Sequence, residues 1–211
     1  EQLMDERDRL DALGFDNDEL SDVRAVFSSS YRSLPVEATR LFRLLGLHPG
    51  GEFSTAAAAA LLGSDNASAR RQLSVLTGAN LLQAIATDRY RLHDLLRLYA
   101  AECAEADETP QTTAAARRRV LSWYLRTVEH GHRVILPNFH KVPLDDAVAE
   151  VPVESFDGVD EAMRWFERER LNLLEALRTA LRTGHYGIAW RLPAVMYSFF
   201  ELRSYWSDSR E

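Results

Sequence analysis

Apolar residues recur every three to four positions along most of the chain, the period of helices with one buried face. Leu3, Leu10 and Leu13, set among acids and arginines, predict a short amphipathic helix that Gly14 ends, with a loop to Asp18. Val23, Val26, Phe27 and Tyr31 predict a second helix from about Asp22. Pro35 fits the first turn of a third helix, where its missing N–H costs nothing, and Ala38, Leu41, Phe42 and Leu45 form its buried stripe. Gly46 and Pro49-Gly50-Gly51 stop it. Ser54 or Thr55 then caps an alanine-rich helix to Leu62. After the turn Gly63-Ser64-Asp65-Asn66, Asn66 or Ser68 opens a helix carrying Leu73 and Leu76, which Gly78 closes.

The exception to the helical period follows. Asn80 to Ile85 and Arg89 to Leu92, around Thr87-Asp88, read as two short strands of a β-hairpin, and His93 to about Ala106 is a long helix. Three helices, a hairpin and a further helix is the order of a winged helix, a variant of the helix-turn-helix. Thr109 to Gln111 reads as a linker. Ala114 to about Val134 is one long helix with Val120, Leu121, Tyr124, Leu125 and Val128 facing inward. Pro137, Pro143 and Pro152 predict a long extended loop, of a kind that is usually functional or packed as a strap. From Val159 the apolar period resumes with Ala162, Trp165 and Phe166. It continues through Leu171, Leu174, Leu177 and Leu181, stops at Gly184, and runs on through Ile188, Trp190, Leu192, Val195, Phe199 and Leu202. Helix pairs of about 34 residues with aromatic residues at the crossings point to tetratricopeptide-type stacking, with Trp and Phe in the core. The fold class is therefore mainly α: a winged helix followed by tetratricopeptide-like repeats.

Composition narrows the function. The 211 residues are 46% hydrophobic and 27% charged, as in an ordinary folded protein. No apolar run approaches the roughly 18 residues of a membrane span. The one cysteine, Cys103, and the lack of a signal sequence make a reducing cytoplasm the expected location. Glu1 in place of a start methionine implies a piece of a longer protein. The net charge of −7 lies in residues 1–32 and in Asp107-Glu108, and no segment is net basic, unlike most duplex-DNA readers. Lys141 is the single lysine and His140 precedes it, so the Gly-Lys-Ser/Thr of a P-loop cannot be formed from this chain.

Three stretches carry a family resemblance. They are Ser30-Tyr31-Arg32-Ser33-Leu34-Pro35 with Arg40-Leu41-Phe42-Arg43-Leu44-Leu45-Gly46-Leu47-His48-Pro49-Gly50, then Arg89-Tyr90-Arg91-Leu92-His93-Asp94-Leu95-Leu96-Arg97-Leu98-Tyr99-Ala100, and Arg164-Trp165-Phe166-Glu167-Arg168-Glu169-Arg170-Leu171-Asn172-Leu173-Leu174. The first two resemble the winged-helix region of signal-transduction ATPases with numerous domains, in particular the AfsR-type antibiotic regulatory proteins. The third resembles the opening of their repeat sensor. The resemblance implies that residues 1–32 end the small helical domain of a nucleotide-binding module, 33–106 form the winged helix, 107–158 are a linker helix and Pro-rich loop, and 159–211 begin a truncated repeat array. It implies that the parent protein binds ADP or ATP with magnesium upstream of residue 1 and hydrolyses ATP slowly. It implies DNA binding through a separate domain, and an effector or protein at the repeats. The fragment itself would hold no cofactor and catalyse nothing.

Leu92-His93-Asp94 resembles the methionine-histidine-aspartate motif of that family, with Leu92 in place of methionine. The resemblance implies that His93 contacts the β-phosphate of ADP held by the upstream nucleotide domain and keeps the protein closed. Read from the residues alone, a histidine at a hairpin-to-helix junction either donates to an anion at the helix N-terminus or, with Asp94, merely caps the helix. Arg70 and Arg71 lie on the helix that would read DNA; they contact DNA, face the neighbouring domain, or face solvent. His130, His132 and His140 lack metal-site spacing and are expected as solvated polar positions. Ser28 to Ser30 have no histidine partner. The reading adopted is a non-catalytic regulatory fragment in which the winged helix closes over nucleotide bound upstream and couples it to the repeats. The alternative is a winged-helix DNA-binding module. Self-association through an uncovered last helix is a further expectation.

Overall fold

The computed structural model describes residues 26–138 and 151–203. The helix expected before Gly14, the loop around His140 and Lys141, and Trp206 lie outside them. A helical segment over 26–32 leads into α1, Val36–Leu45, with Pro35 at the N-cap. Ala38, Leu41, Phe42 and Leu45 are all buried, as their spacing requires. Tyr31 and Arg43 join this start to the far end of the winged helix. Arg43 Nε donates to Glu108 at 2.8 Å, and the Tyr31 hydroxyl, its pKa pushed up to about 12 mainly by burial, donates to Asp107 at 3.1 Å.

β1, Glu52–Ser54, precedes α2, Thr55–Leu62. Ser54 caps α2 by accepting the Ala57 N–H at 3.2 Å. Gly63 ends α2 in the left-handed region, φ 71°. α3, Asn66–Gly78, is capped by Asp65, which accepts the Ser68 N–H at 2.7 Å. The cap is thus one residue ahead of the expected Asn66 or Ser68. Asn80, not Gly78, supplies the left-handed residue that ends α3, with φ 57°. β2, Gln83–Ala86, and β3, Arg89–Arg91, form the hairpin, turned at Asp88 with φ 58°. Asn80 to Leu82 belong to the turn leaving α3 rather than to the strand.

The sheet order is β1-β3-β2, all antiparallel, with Phe53 opposite Tyr90 and Glu52 opposite Arg91. Helix, strand, two helices and a hairpin that pairs back onto the first strand make a winged helix. β1 was not legible because three residues cannot show an alternating period.

α4, Asp94–Asp107, packs on α1. α5, Pro110–Ile135, begins at once, with Thr109 as its N-cap and Pro110 in its first turn. Thr109 to Gln111 are therefore a helix start rather than a linker. α6, Val159–Arg182, and α7, Tyr186–Arg203, form a helical hairpin that packs against α5. Gly184, φ 76°, stands in the turn between them. These helices are longer than those of a unit of about 34 residues.

The core is continuous from Leu41 through α5 to Phe199. α2 makes this possible. Ala57, Ala58 and Ala60 are buried, and such small side chains let α5 approach closely. Arg119 of α5 donates to the carbonyls of Ala60 and Leu61 at 3.0 and 2.5 Å, satisfying the C-terminal end of α2.

Several apolar positions face outward against expectation. Val26, Leu171, Leu181 and Trp190 are exposed, and Arg191 stacks over the Trp190 ring at 4.5 Å. The buried stripe of α6 keeps Ala162, Trp165, Phe166 and Leu174 as expected and adds Glu169, Asn172, Leu173, Ala176, Thr179 and Ala180, so that three of its members are polar.

Candidate functional site

The hairpin delivers His93 to a defined place. Leu92 is buried in the core and its N–H donates to Gly51 O at 2.9 Å, fixing the chain where β3 ends. His93 then takes the N-cap position of α4 in an extended conformation, its carbonyl accepting the Arg97 N–H at 2.8 Å. Its imidazole makes no cap hydrogen bond and is exposed, as is Asp94 in the first turn. Side-chain capping by His93, one of the two readings its position allowed, is not what the structure shows. Asp94 still complements the positive end of the α4 dipole.

Leu92, His93 and Asp94 line a cleft of about 690 Å³ between the winged helix and α6. Gly50, Gly51 and Glu52 form one wall, and Arg168, Arg170, Leu171 and Arg178 stand on the α6 side. Arg91 crosses to Glu52, donating through Nε at 2.9 Å.

Beside this cleft lies a buried polar cluster that the sequence did not disclose. Glu169, 2% exposed, accepts from three side chains: Arg89 of β3, Tyr124 of α5 at 3.2 Å and Asn172 of α6 at 2.6 Å. Asn172 also donates to Glu52 O at 2.8 Å. Gly50 packs so tightly on Asn172 that a Cβ would fall 1.9 Å from its Oδ1, so glycine is required there. Tyr124 Oη lies 3.1 Å from His48 Nε2, and His48 Nδ1 lies 2.8 Å from Gly50 O. Burial pushes the His48 pKa down to about 4, with Arg89 and Arg97 adding to the effect against the raising bond to Gly50. Burial and the Glu169 charge hold Tyr124 protonated well above the ordinary tyrosine range. One carboxylate thereby ties hairpin, turn, α5 and α6 together. A signal for it was present: Glu169 and Asn172 interrupt the stripe set by Trp165, Phe166, Leu173 and Ala176. The leucines at 171 and 181 made a competing pattern.

Arg70 and Arg71 are both exposed on the outer face of α3, where Ala67, Ser74 and Val75 are also exposed. Arg70 pairs with Asp88 of the hairpin turn at 3.5 Å. Neither arginine lines the His93 cleft. His132 is buried, contrary to the solvated position expected, and burial lowers its pKa against the hydrogen bond it donates to the backbone of α7 at Val195. His130 stacks on Phe156, with ring centroids 5.8 Å apart. Among the described residues no group of three or more His, Cys, Asp or Glu side chains is placed to hold a metal ion, and no helix is long and apolar enough to cross a membrane.

The chain is homologous to a segment of known regulatory proteins. It is 38% identical to the regulatory protein AfsR of Streptomyces griseus over 184 residues, which is 87% of this chain and 18% of that protein. It is 36% identical to the regulatory protein AfsR of Streptomyces coelicolor over 186 residues, 86% of this chain and again 18% of the relative. The chain thus spans under a fifth of the length of these curated relatives. No family profile and no solved structure matches it.

Proposed function

We propose that this chain is a non-catalytic regulatory segment of a larger transcriptional regulator, in which the winged helix closes over a nucleotide held by a domain upstream and passes its state to the helices that follow. The observation that carries this reading is His93: a solvent-facing imidazole at the N-terminus of a 14-residue helix, uncommitted to capping and fixed by the buried Leu92 beside it. Such a group can donate to a phosphate oxygen, and the first-turn N–H groups of α4 favour the same negative charge. His93 and those N–H groups would hold the β-phosphate end of ADP, while Leu92 and Asp94 fix their position. ADP or ATP with magnesium would supply the charge difference that distinguishes the two states of the parent protein; the remaining contacts to nucleotide belong to its other domains. Likeness to the two AfsR proteins supports a regulatory role; in this reading the parent protein is cytoplasmic, binds DNA through a separate domain and meets an effector or protein at the repeats.

His93→Ala in the longer regulator tests this. A contact present in the closed state alone shifts the equilibrium by its own free energy. Loss of a hydrogen bond to a charged group, about 1.5–3 kcal/mol, moves the closed-to-open ratio about ten- to hundredfold. ADP should dissociate faster and basal activity should rise. Unchanged ADP retention and basal activity overturn the reading.

A second reading, direct DNA binding by the winged helix, is favoured by the open outer face of α3 with Arg70 and Arg71. Two arginines, one already paired with Asp88, supply little phosphate neutralisation. Salt-sensitive binding of duplex DNA by the 211-residue chain, lost in Arg70→Ala/Arg71→Ala, would establish it.

A further inference from the structure

Glu169 and Asn172 are polar residues on the buried stripe of α6, and neither has a part in the nucleotide contact proposed above. Both reach the strands that carry His93. Glu169 holds Arg89 at the start of β3, the strand that ends just before Leu92 and His93. Asn172 Nδ2 donates to the Glu52 carbonyl at the start of β1 at 2.8 Å and to Glu169 Oε2 at 2.6 Å, so the donors of its amide are both committed.

From each of these contacts the path to His93 is short. Gly51, beside Glu52, accepts the Leu92 N–H at 2.9 Å, and Leu92 is buried directly before His93. Glu52 and Arg91 are opposite each other in the sheet and are joined by the Arg91 Nε bond at 2.9 Å. Elsewhere α6 packs through rings: Trp165 on Trp123 of α5 and Phe166 on Phe199 of α7, with centroids 6.1 and 5.0 Å apart. Apolar contacts are non-directional and tolerate sliding, whereas hydrogen bonds fix distance and direction. Stranding a buried carboxylate without its partners is costly, so a displacement of α6 carries β3 and β1 with it in preference to breaking the cluster. The close packing of Gly50 on Asn172 leaves no slack between the turn and α6.

We propose that Glu169 and Asn172 are positioning residues for His93: they grip β3 and β1 and make the placement of the imidazole follow the position of α6. What the grip does for function rests on the nucleotide reading of His93, whereas the grip itself rests on the contacts alone. Any event that shifts the α6/α7 hairpin is thereby delivered to the end of β3, where the imidazole stands. The two strands move as a pair because Glu169 and Asn172 are bonded to each other as well as to the sheet.

Hydrogen exchange of single amides in the 211-residue chain tests the positioning. Asn172→Ala should speed exchange of the Leu92 amide about tenfold, the factor set by one lost hydrogen bond, through a local opening rather than global unfolding. Leu173→Ala removes apolar contact on the same helix; it should lower stability at least as much and leave that amide at its wild-type rate. Asn172→Asp keeps the shape and gives up the amide donors, so it should act like Asn172→Ala and carries the test if that variant does not fold. Wild-type exchange at Leu92 in a folded Asn172 variant, or equal acceleration in Leu173→Ala, would overturn the proposal. In the longer regulator, Asn172→Ala should speed ADP release in the wild-type background and add nothing to His93→Ala. Equal effects in both backgrounds would overturn the proposal as well. No effect of His93→Ala itself would overturn the nucleotide reading instead, and the exchange at Leu92 would still decide the positioning.

Discussion

Arg89 and Glu169, eighty residues apart, form an ion pair whose side chains are only 13% and 2% exposed. One belongs to the hairpin of the winged helix and the other to α6, so the contact decides how the two parts are held. A buried charge that loses its partner is costly, whereas replacing both partners by apolar groups is much less so. Glu169→Ala should therefore lower stability by about 3–5 kcal/mol, and Arg89→Met/Glu169→Leu should lose clearly less. Urea unfolding of the three chains measures this. A Glu169→Ala loss below about 1 kcal/mol, the range of exposed pairs, would show that water reaches the cluster.

The pH dependence of stability should carry the mark of His48. Its folded pKa, about 4, lies below its unfolded value of about 6.5. Above pH 6.5 both states are neutral at this group and the full stability is present. Between 6.5 and 4 the unfolded chain takes up a proton that the folded chain refuses, so stability falls as pH drops, by roughly 3 kcal/mol in all. Glu154 acts with the opposite sign: burial and then Glu169 raise its pKa, so its protonation on acidification offsets part of that loss. His48→Asn should flatten the slope between pH 6.5 and 4 while leaving the Glu154 contribution. An unchanged slope in His48→Asn would contradict this.

How much of this was legible in advance depended on what held each element. Residues that answer to their own helix were readable: the stripe Ala38, Leu41, Phe42 and Leu45, a cap at Ser54 or Thr55 of which the structure takes Ser54, and the inner face of α5. Elements fixed by partners far away were not. β1 exists because β3 pairs with it. The start of α5 at Pro110 could be taken for a linker because Thr109 and Pro110 suit a loop as well as a helix N-terminus. His93 could be placed at the hairpin junction from the local sequence, but its freedom from capping could not. The Glu169 cluster draws one residue from each of several elements, and local periodicity reports none of those meetings.

Within the 211-residue chain, His93→Ala should leave stability within about 0.5 kcal/mol of wild type, because the imidazole is exposed and caps nothing. Thermal unfolding measures it. A larger loss would mean that His93 supports the fold, and any effect on the longer regulator would then need another explanation.

Gly63→Ala should destabilise by about 1–2 kcal/mol, the cost of a left-handed backbone for a residue with a Cβ. The added methyl would also meet Arg119 Nε at 3.1 Å, disturbing the guanidinium that closes α2. Urea unfolding measures the loss. Gly78→Ala, within α3 and with nothing within 4 Å of an added Cβ, is the matching control and should show no such loss.

Among the described residues, α5 packs against both the alanine-rich α2 and the α6/α7 hairpin. Its 26 residues make a rod of about 39 Å, seated on α2 by Arg119, ten residues into the helix, and near its far end by Gly131 against Phe166. A rod so held works as a lever with its fulcrum on α2. A tilt of about 5° there would carry the far tip about 2 Å over the roughly 24 Å of helix beyond Arg119, comparable to a side-chain step at the α6 and α7 contacts. Whatever binds the hairpin end could thus be felt at the winged helix as displacement, with no need for any element between them to unfold.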